Sequence, residues 1–211
     1  MIQMKRRPIL LNKLNLKNRD KGKVIAVSGV SRAVGVTHLV IVLGNYFEKL
    51  GKKVALIEMN ANKAFEKIEK AYEGVHFNVD ETTFFNIKRC TYYKNTKGLS
   101  LIDILAKNYD YYILDIGFKN EKYFGEFLRA DIQVVVGMVS EWKKDEVLHF
   151  YNTNKDTPSN YNWIYACTYG SNSDIKDMQK IIDNKIFSIP FNPDPFIIKP
   201  EMKKVIQEVM L

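Results

Sequence analysis

The chain has 211 residues, of which 46% are hydrophobic and 27% charged, and its formal net charge is +8. These values are ordinary for a globular domain and exclude a disordered chain, and the length suits one well-cored domain rather than two. Cys90 and Cys167 are the only cysteines and have no CxxC or His-rich neighbour, which argues against a metal site or redox pair and fits a reducing compartment.

The start of the chain is strongly basic. Residues 1–23 hold eight Lys and Arg against one acid, Asp20, a balance of +7. We predict a basic leader over 1–22 and one domain over 23–211. The interleaved leucines would let the leader lie on an anionic membrane, follow a nucleic-acid backbone or dock on a protein, and a solvated, disordered tail is the alternative. With no membrane-spanning run and no secretory signal, the sequence predicts a cytoplasmic protein.

The first predicted elements form a strand, loop and helix. Residues 23–29, KVIAVSG, are a β-branched run ending in glycine, which predicts a buried strand of a parallel sheet. From Thr37 to Leu50 apolar residues recur at helical spacing, which predicts a helix, and Gly51 supplies its C-terminal stop. The apolar run 52–60 predicts a second strand, so the chain begins with a strand–helix–strand unit whose crossover should be right-handed.

Three further apolar runs, 109–117, 132–140 and 162–170, predict core strands separated by segments that can hold helices. The remaining predictions are a helix in AFEKIEKAY, short edge strands in VHFNV and FFNIKRC, a helix in LSLIDILAKN, a last strand in KIFSIPF and an amphipathic helix at 200–210. Strands that alternate with helices predict an α/β fold with a doubly wound, mostly parallel sheet flanked by helices.

The loop after the first strand is the first place to search for chemistry, because ligands of open parallel sheets bind beyond the carboxyl ends of the strands. Backbone N–H groups between a strand and a helix can cradle phosphates. The usual phosphate loop is GxxxxGK[ST]. Here Gly29 and Gly35 are one residue too far apart, and Val36 stands at the lysine position before Thr37. The bare motif therefore does not match.

Four segments together resemble the ParA/MinD group of deviant P-loop ATPases. SGVSRAVGVTH (28–38) resembles that family's SGKGGVGKTT loop with one inserted residue, and KKVALIEMNANKA (52–64) resembles its KVLLIDLDPQGN strand and switch. YDYYILDIG (109–117) is similar to its YDYIIIDTP, and IPFNPDPF (189–196) resembles the loop after its last strand, which helps hold the nucleotide base. The resemblance covers nearly all of 23–211 and implies a P-loop NTPase-like fold.

The resemblance also implies a site for ATP or ADP with Mg²⁺. Its nucleotide-binding residues would be Gly29, Ser31, Arg32, Gly35, Val36, Thr37, His38, Asn60, Pro190 and Asn192, and its metal ligands Thr37 and Asp115. Each role has a plainer alternative. Asp115 could cap the following turn, Thr37 could serve only as a helix N-cap, and the glycines could be ordinary turn residues.

Several positions depart from the family pattern. Its two loop lysines correspond to Val30 or Ser31 and to Val36, and its DxD switch corresponds to Glu58 and Asn60. Stabilisation of the transferring phosphoryl group is thereby weakened, so we predict weak or absent hydrolysis. Arg32, the remaining cation of the loop, could reach a phosphate or simply be solvated. His38 is expected to cap or pack rather than to catalyse.

These residues support three functional hypotheses. The first is a nucleotide-binding regulatory or positioning protein of the ParA/MinD type, whose occupancy sets homodimerisation or recruitment of a protein partner. Within that group the Thr-His ending of the loop resembles TadZ-like members, which implies service to a pilus or secretion assembly. The second is a nucleotide-free scaffold. The third, a DNA-partitioning ATPase, is disfavoured by the missing lysines and by Asn60.

Overall fold

The computed structural model describes residues 22–74, 82–94, 100–118 and 121–210. The leader, except for its last residue, and the edge strand predicted in VHFNV lie outside the described residues. Among the helices that are described, none is long and apolar enough to cross a bilayer.

The described part of the chain contains eight strands and seven α-helices. The strands are β1 (Lys23–Gly29), β2 (Val54–Glu58), β3 (Phe84–Ile87), β4 (Cys90–Tyr93), β5 (Tyr111–Phe118), β6 (Ile132–Met138), β7 (Ile164–Thr168) and β8 (Lys185–Ser188). The helices are α1 (Val36–Lys49), α2 (Ala64–Glu73), α3 (Leu101–Leu105), α4 (Glu121–Arg129), α5 (Lys144–Asn154), α6 (Asn172–Gln179) and α7 (Pro200–Met210).

All eight strands form one sheet in the order β3-β4-β2-β5-β1-β6-β7-β8. Every neighbouring pair is parallel except β3 and β4, which are antiparallel. The predicted α/β fold with a mostly parallel sheet is therefore confirmed. Since β5 lies between β1 and β2, the first strand–helix–strand unit crosses over one intervening strand.

The strand predicted in FFNIKRC was wrong in one respect, because this segment contains a turn between two strands. β3 ends at Ile87 and β4 begins at Cys90, and Lys88 between them has a φ of 54°. Lys88 and Arg89 are not the Asn, Asp or Gly that mark a tight turn in a sequence, so the pattern offered no signal for the reversal.

The centre of the sheet is buried on both of its faces. In β1 six consecutive residues are buried, and so are six in β5 and five in β6. Because successive side chains of a strand point to opposite faces, such runs require cover on both sides of the sheet. This cover leaves the carboxyl edge of the sheet, where the strands enter their loops, as the place for a ligand.

β1 lies at the point in the sheet where the path of the chain changes direction. Helix α1 leads from β1 towards β2, whereas the chain after β6 continues outward through β7 to β8. The loop after β1 therefore lies between the ends of β2 and β5 on one side and the ends of β6, β7 and β8 on the other.

Candidate functional site

The loop from β1 to α1 is held open by its backbone conformation. The N–H group of Val30 donates to the carbonyl of Val136 at 2.9 Å, which fixes the loop to β6. Ala33 has a φ of 59° and Gly35 a φ of 103°, both left-handed. Gly35 is the N-cap of α1, and no side chain caps this helix. The first N–H groups of α1 thus remain available, as in sites that bind phosphate groups.

Gly29 is required by close packing beneath this loop. A Cβ at Gly29 would lie 2.8 Å from Cγ2 of Val36, 2.9 Å from Cγ2 of Val34 and 3.0 Å from the carbonyl oxygen of Ser31. Both valines are buried. Val36, which stands at the lysine position of the motif, therefore packs against Gly29 at the base of the loop.

Thr37 and Asp115 meet at the start of α1. The Thr37 hydroxyl donates a 2.6 Å hydrogen bond to Oδ2 of Asp115, whose side chain is fully buried at the sheet's centre. Burial raises the pKa of Asp115 to about 7, the Thr37 hydroxyl opposes this shift, and the negative charge of Glu58 adds to it. The alternative that Thr37 is the N-cap of α1 does not hold, since Gly35 occupies that position.

This pair fits a magnesium ion. Oδ1 of Asp115 is buried and makes no hydrogen bond of normal geometry with the described residues, although the N–H group of Gly117 and the side chain of Asn60 lie close enough to lower the pKa of Asp115. This oxygen therefore retains capacity for a further ligand. Mg²⁺ prefers oxygen ligands and usually takes one or two carboxylates together with waters and substrate phosphates. Among the described residues there is no cluster of three or more His, Cys, Asp or Glu side chains. A magnesium site of this kind does not need such a cluster, because waters and phosphates supply its other ligands.

Asn60 joins the ends of β2 and β5. Its Nδ2 donates to the carbonyl of Asp115 at 3.1 Å, and its Oδ1 accepts the N–H group of Asn62 at 3.0 Å. At the neighbouring Gly117, where φ is 73°, a Cβ would lie 2.8 Å from Cβ of Asn60. Asn60 is therefore next to Asp115, the predicted metal ligand. Its side chain links the segment after β2 to β5.

Glu58 has a structural partner that the sequence did not indicate. Its Oε1 accepts a 2.7 Å hydrogen bond from the N–H group of Ala64, and Ala64 is the first residue of α2. A carboxylate at a helix N-terminus satisfies open N–H groups and interacts favourably with the helix dipole. The acid that ends β2 thus anchors α2 to the carboxyl edge of the sheet.

A cavity of about 550 Å³ opens on the other side of the start of α1. It is lined by residues of the β1–α1 loop, of α1 and of β6, by residues at and after the ends of β7 and β8, and by Met202 of α7. Four predicted site residues line it together: Gly35, His38, Pro190 and Asn192. Its volume lies within the range of small-molecule sites.

His38 and Asn192 are two of the polar residues that line this cavity. Burial lowers the pKa of His38, and a hydrogen bond with the backbone of Asn192 and the charge of Asp194 oppose this shift. Nδ2 of Asn192 donates to the carbonyl of Ile197 at 2.8 Å, whereas its Oδ1 is buried and has no hydrogen bond of normal geometry with the described residues. Asn192 can therefore accept a hydrogen bond from a ligand.

The other two predicted loop residues, Ser31 and Arg32, are not among the residues that line this cavity. Arg32 is exposed, and Ser31 lies beside Glu146 of α5. Two aromatic residues that line the cavity escaped the sequence analysis: Tyr169 and Phe191, both exposed, with ring centroids 6.4 Å apart. Phe191 lies in the segment IPFNPDPF that the resemblance assigned to the nucleotide base. Tyr169 had no signal beyond its place after a strand end, and a sequence cannot tell such an exposed ring from a core ring.

No protein-family model and no curated protein matches this chain. Solved structures do. A plasmid partition protein of Borrelia burgdorferi bound to AMPPNP is 15% identical over 90% of this chain and 97% of its own, with a TM-score of 0.63. The MinC:MinD cell division complex of Aquifex aeolicus is 17% identical over 89% of this chain and 94% of its own, with a TM-score of 0.62.

A third similar structure is the cobyrinic acid a,c-diamide synthase of Mycobacterium smegmatis with a bound ATP analogue and magnesium. It is 12% identical over 89% of this chain and 92% of its own, and its TM-score is 0.62. At such low identity the likeness concerns the fold alone. The chain therefore has the fold of the P-loop ATPases that include MinD and the plasmid partition proteins.

Proposed function

We propose that this protein is a nucleotide-binding regulatory or positioning protein of the ParA/MinD type, with weak or absent hydrolysis, acting in the cytoplasm. The observation that carries the proposal is the contact between Thr37 and Asp115 beside the uncapped start of α1. A hydroxyl and a carboxylate with unmet capacity at the edge of a phosphate-binding loop are the groups that a magnesium nucleotide needs.

The two sides of α1 would share the nucleotide. The N–H groups of the loop around Gly35 would bind the phosphates, and Thr37 and Asp115 would hold Mg²⁺, which supplies positive charge that neutralises them. The base would enter the cavity between His38 and Asn192, with Pro190 in its lining. Gly29 and Asn60 would support this site by packing and bracing rather than by contact.

Weak hydrolysis follows from the side chains that stand where charge is needed. Val36 is buried and apolar, so it cannot stabilise charge that develops on the transferred phosphoryl group. Asn60 and Glu58 are engaged in hydrogen bonds to the backbone, which keeps them in bracing roles. Binding requires less, since backbone donors, one hydroxyl and one carboxylate can suffice.

Similar structures motivate the nucleotide and the partner. One is bound to AMPPNP, another to an ATP analogue and magnesium, and MinD of Aquifex aeolicus is in complex with MinC. We extend these properties to this chain as ATP or ADP with Mg²⁺, a protein partner and a homodimer. Service to a pilus or secretion assembly, as in TadZ-like proteins, and contact of the leader (1–22) with a membrane surface or nucleic acid belong to the same proposal.

A second candidate, a nucleotide-free scaffold, is favoured by one observation. Val34 and Val36 both approach Gly29, so the loop is partly filled by its own side chains. If this packing excludes phosphates, the fold would serve only to present surfaces to a partner.

A calorimetric titration with ATP separates the two candidates. We expect saturable binding in Mg²⁺ that weakens in a chelator and in Thr37→Ala, while Thr153→Ala on α5, an exposed threonine bonded only within its own helix, binds like the wild type. Absence of binding of both ATP and ADP would favour the scaffold.

A further inference from the structure

The first turn of α5 is docked on the β1–α1 loop. A Cβ placed on Gly137 of β6 would lie 2.6 Å from Cγ2 of Val147 and 3.3 Å from Cγ2 of Val30. The two valines therefore meet over the same glycine, Val147 from α5 and Val30 from the first position of the loop. This contact brings the residues that begin α5 next to Ser31.

Glu146 of α5 lies beside Ser31 of the loop. The lysine Lys143 and then the hydroxyl of Ser31 lower the pKa of Glu146. Oγ of Ser31 and Oε2 of Glu146 are both buried, and neither makes a hydrogen bond of normal geometry with the described residues. The hydroxyl of Ser31 is thus only weakly engaged with Glu146, on the side of the loop that faces α5.

Lys143 brings a positive charge to the same place. Its Nζ lies 2.6 Å from Oε1 of Glu146, and the two side chains are 34% and 36% exposed. Ion pairs at such exposure contribute little to stability, so the ammonium group can leave the carboxylate for a stronger anion at small cost. Lys144, the next residue, pairs instead with Glu141.

We propose that Lys143 is a phosphate-binding residue, which moves from Glu146 to the bound nucleotide and supplies, from the N-cap position of α5, the charge that the loop lacks at Val36. This inference rests on the proposed function, because it concerns the anion of the same site. The negative charge of a phosphate chain is greater than the charge that Mg²⁺ and a helix N-terminus together can neutralise. A nearby lysine binds such a phosphate chain as a point charge. Arg32 is the competing cation, and it is exposed.

The test compares Lys143→Gln with the matched control Lys144→Gln, using calorimetric affinities for ATP and for adenosine in Mg²⁺. We expect Lys143→Gln to weaken ATP binding about tenfold or more, as for the loss of a charge-assisted contact, and to leave adenosine binding unchanged. Lys143→Arg should retain most of the affinity for ATP, and Lys144→Gln should bind within about twofold of the wild type.

The emission of Trp142 gives a second readout. Trp142 adjoins Lys143 and is 82% exposed, whereas Trp163, the other tryptophan, is buried. ATP should shift the wild-type emission, and the shift should be absent in Trp142→Phe and in Lys143→Gln at saturating ATP. Unchanged ATP affinity in Lys143→Gln, equal losses for adenosine, or a loss found in Arg32→Gln instead would overturn the inference while leaving the proposed function intact. A wild type that binds no nucleotide would overturn both.

Discussion

The hydroxyl of Thr37 donates a 2.6 Å hydrogen bond to Oδ2 of Asp115, which lies 78 residues further along the chain. This bond joins the start of α1 to the middle strand β5 at the carboxyl edge of the sheet. It places a hydroxyl and a buried carboxylate side by side, next to N–H groups that no side chain caps.

Substitution of either residue should have the same effect on nucleotide binding. We expect Thr37→Ala and Asp115→Ala to weaken ATP binding similarly in Mg²⁺, and the double variant to lose little more, because residues that act through one shared ion are not additive. Calorimetry of the four proteins gives the coupling. Fully additive losses, or losses of the same size in a chelator, would show that the two residues do not act through a metal.

The buried carboxylate should lower stability at high pH. The pKa of Asp115 is raised from 3.8 to about 7, so the folded protein retains a proton that the unfolded chain releases, and folding stability falls as the pH rises through this interval. Asp115→Asn cannot ionise. The Tm of Asp115→Asn minus that of the wild type, both measured in a chelator, should therefore increase between about pH 4 and pH 7. Above about pH 7 this difference should stay constant. A difference independent of pH would contradict the raised pKa.

Removal of residues 1–21 should leave the domain folded. The N–H group of Lys23 donates to the carbonyl of Asp110 at 2.8 Å, and that of Val24 donates to the Asp131 carboxylate at 2.7 Å. The start of β1 is thus tied to its neighbours by contacts that the deletion retains. Thermal unfolding should remain cooperative, with a Tm close to that of the full chain. An insoluble or non-cooperative product would show that the leader belongs to the core.

A buried ion pair near α2 offers a stability test away from the site. Nζ of Lys94 lies 2.6 Å from Oε2 of Glu69 and donates to Oγ1 of Thr82 at 2.6 Å, and the paired side chains are 0% and 1% exposed. Lys94→Met would leave the Glu69 carboxylate buried without this cation, which should cost about 3–5 kcal/mol in urea unfolding.

The double variant Lys94→Met with Glu69→Leu is the matched control, since it removes both charges and should recover much of the stability. A loss below about 1 kcal/mol in Lys94→Met would show that the pair is not essential to the fold.

The fold could be predicted from the sequence because its central strands are uniform. Runs such as residues 24–27, apolar at every position and followed by a polar residue or a glycine, occur where both faces of a strand are buried, and they alternate with helical patterns. The periphery was harder. The hairpin of β3 and β4 has no turn signal at Lys88, so one strand was predicted where there are two.

The site was predictable where its parts lie at strand ends or in the loop after β1. The strand ends pointed to Asp115 and the loop to Thr37, and the structure brings them into contact. The neighbours of Glu58 and the approach of Lys143 to Ser31 through Glu146 were not predictable, because they depend on how α2 and α5 pack against the sheet. Periodicity predicts that a helix exists and leaves open which of its residues meets a loop.

The nucleotide retained by the purified protein tests the central claim most directly. The wild type would be incubated with ATP and Mg²⁺, separated from free nucleotide, held for an hour at 25 °C and extracted, and the bound species and free phosphate would be measured. A protein that binds without turnover should retain mainly intact ATP, and Asp115→Ala should retain little. Recovery of ADP with sustained phosphate release at about 1 per second or faster, typical of active phosphotransfer enzymes, or recovery of no nucleotide at all, would contradict the account.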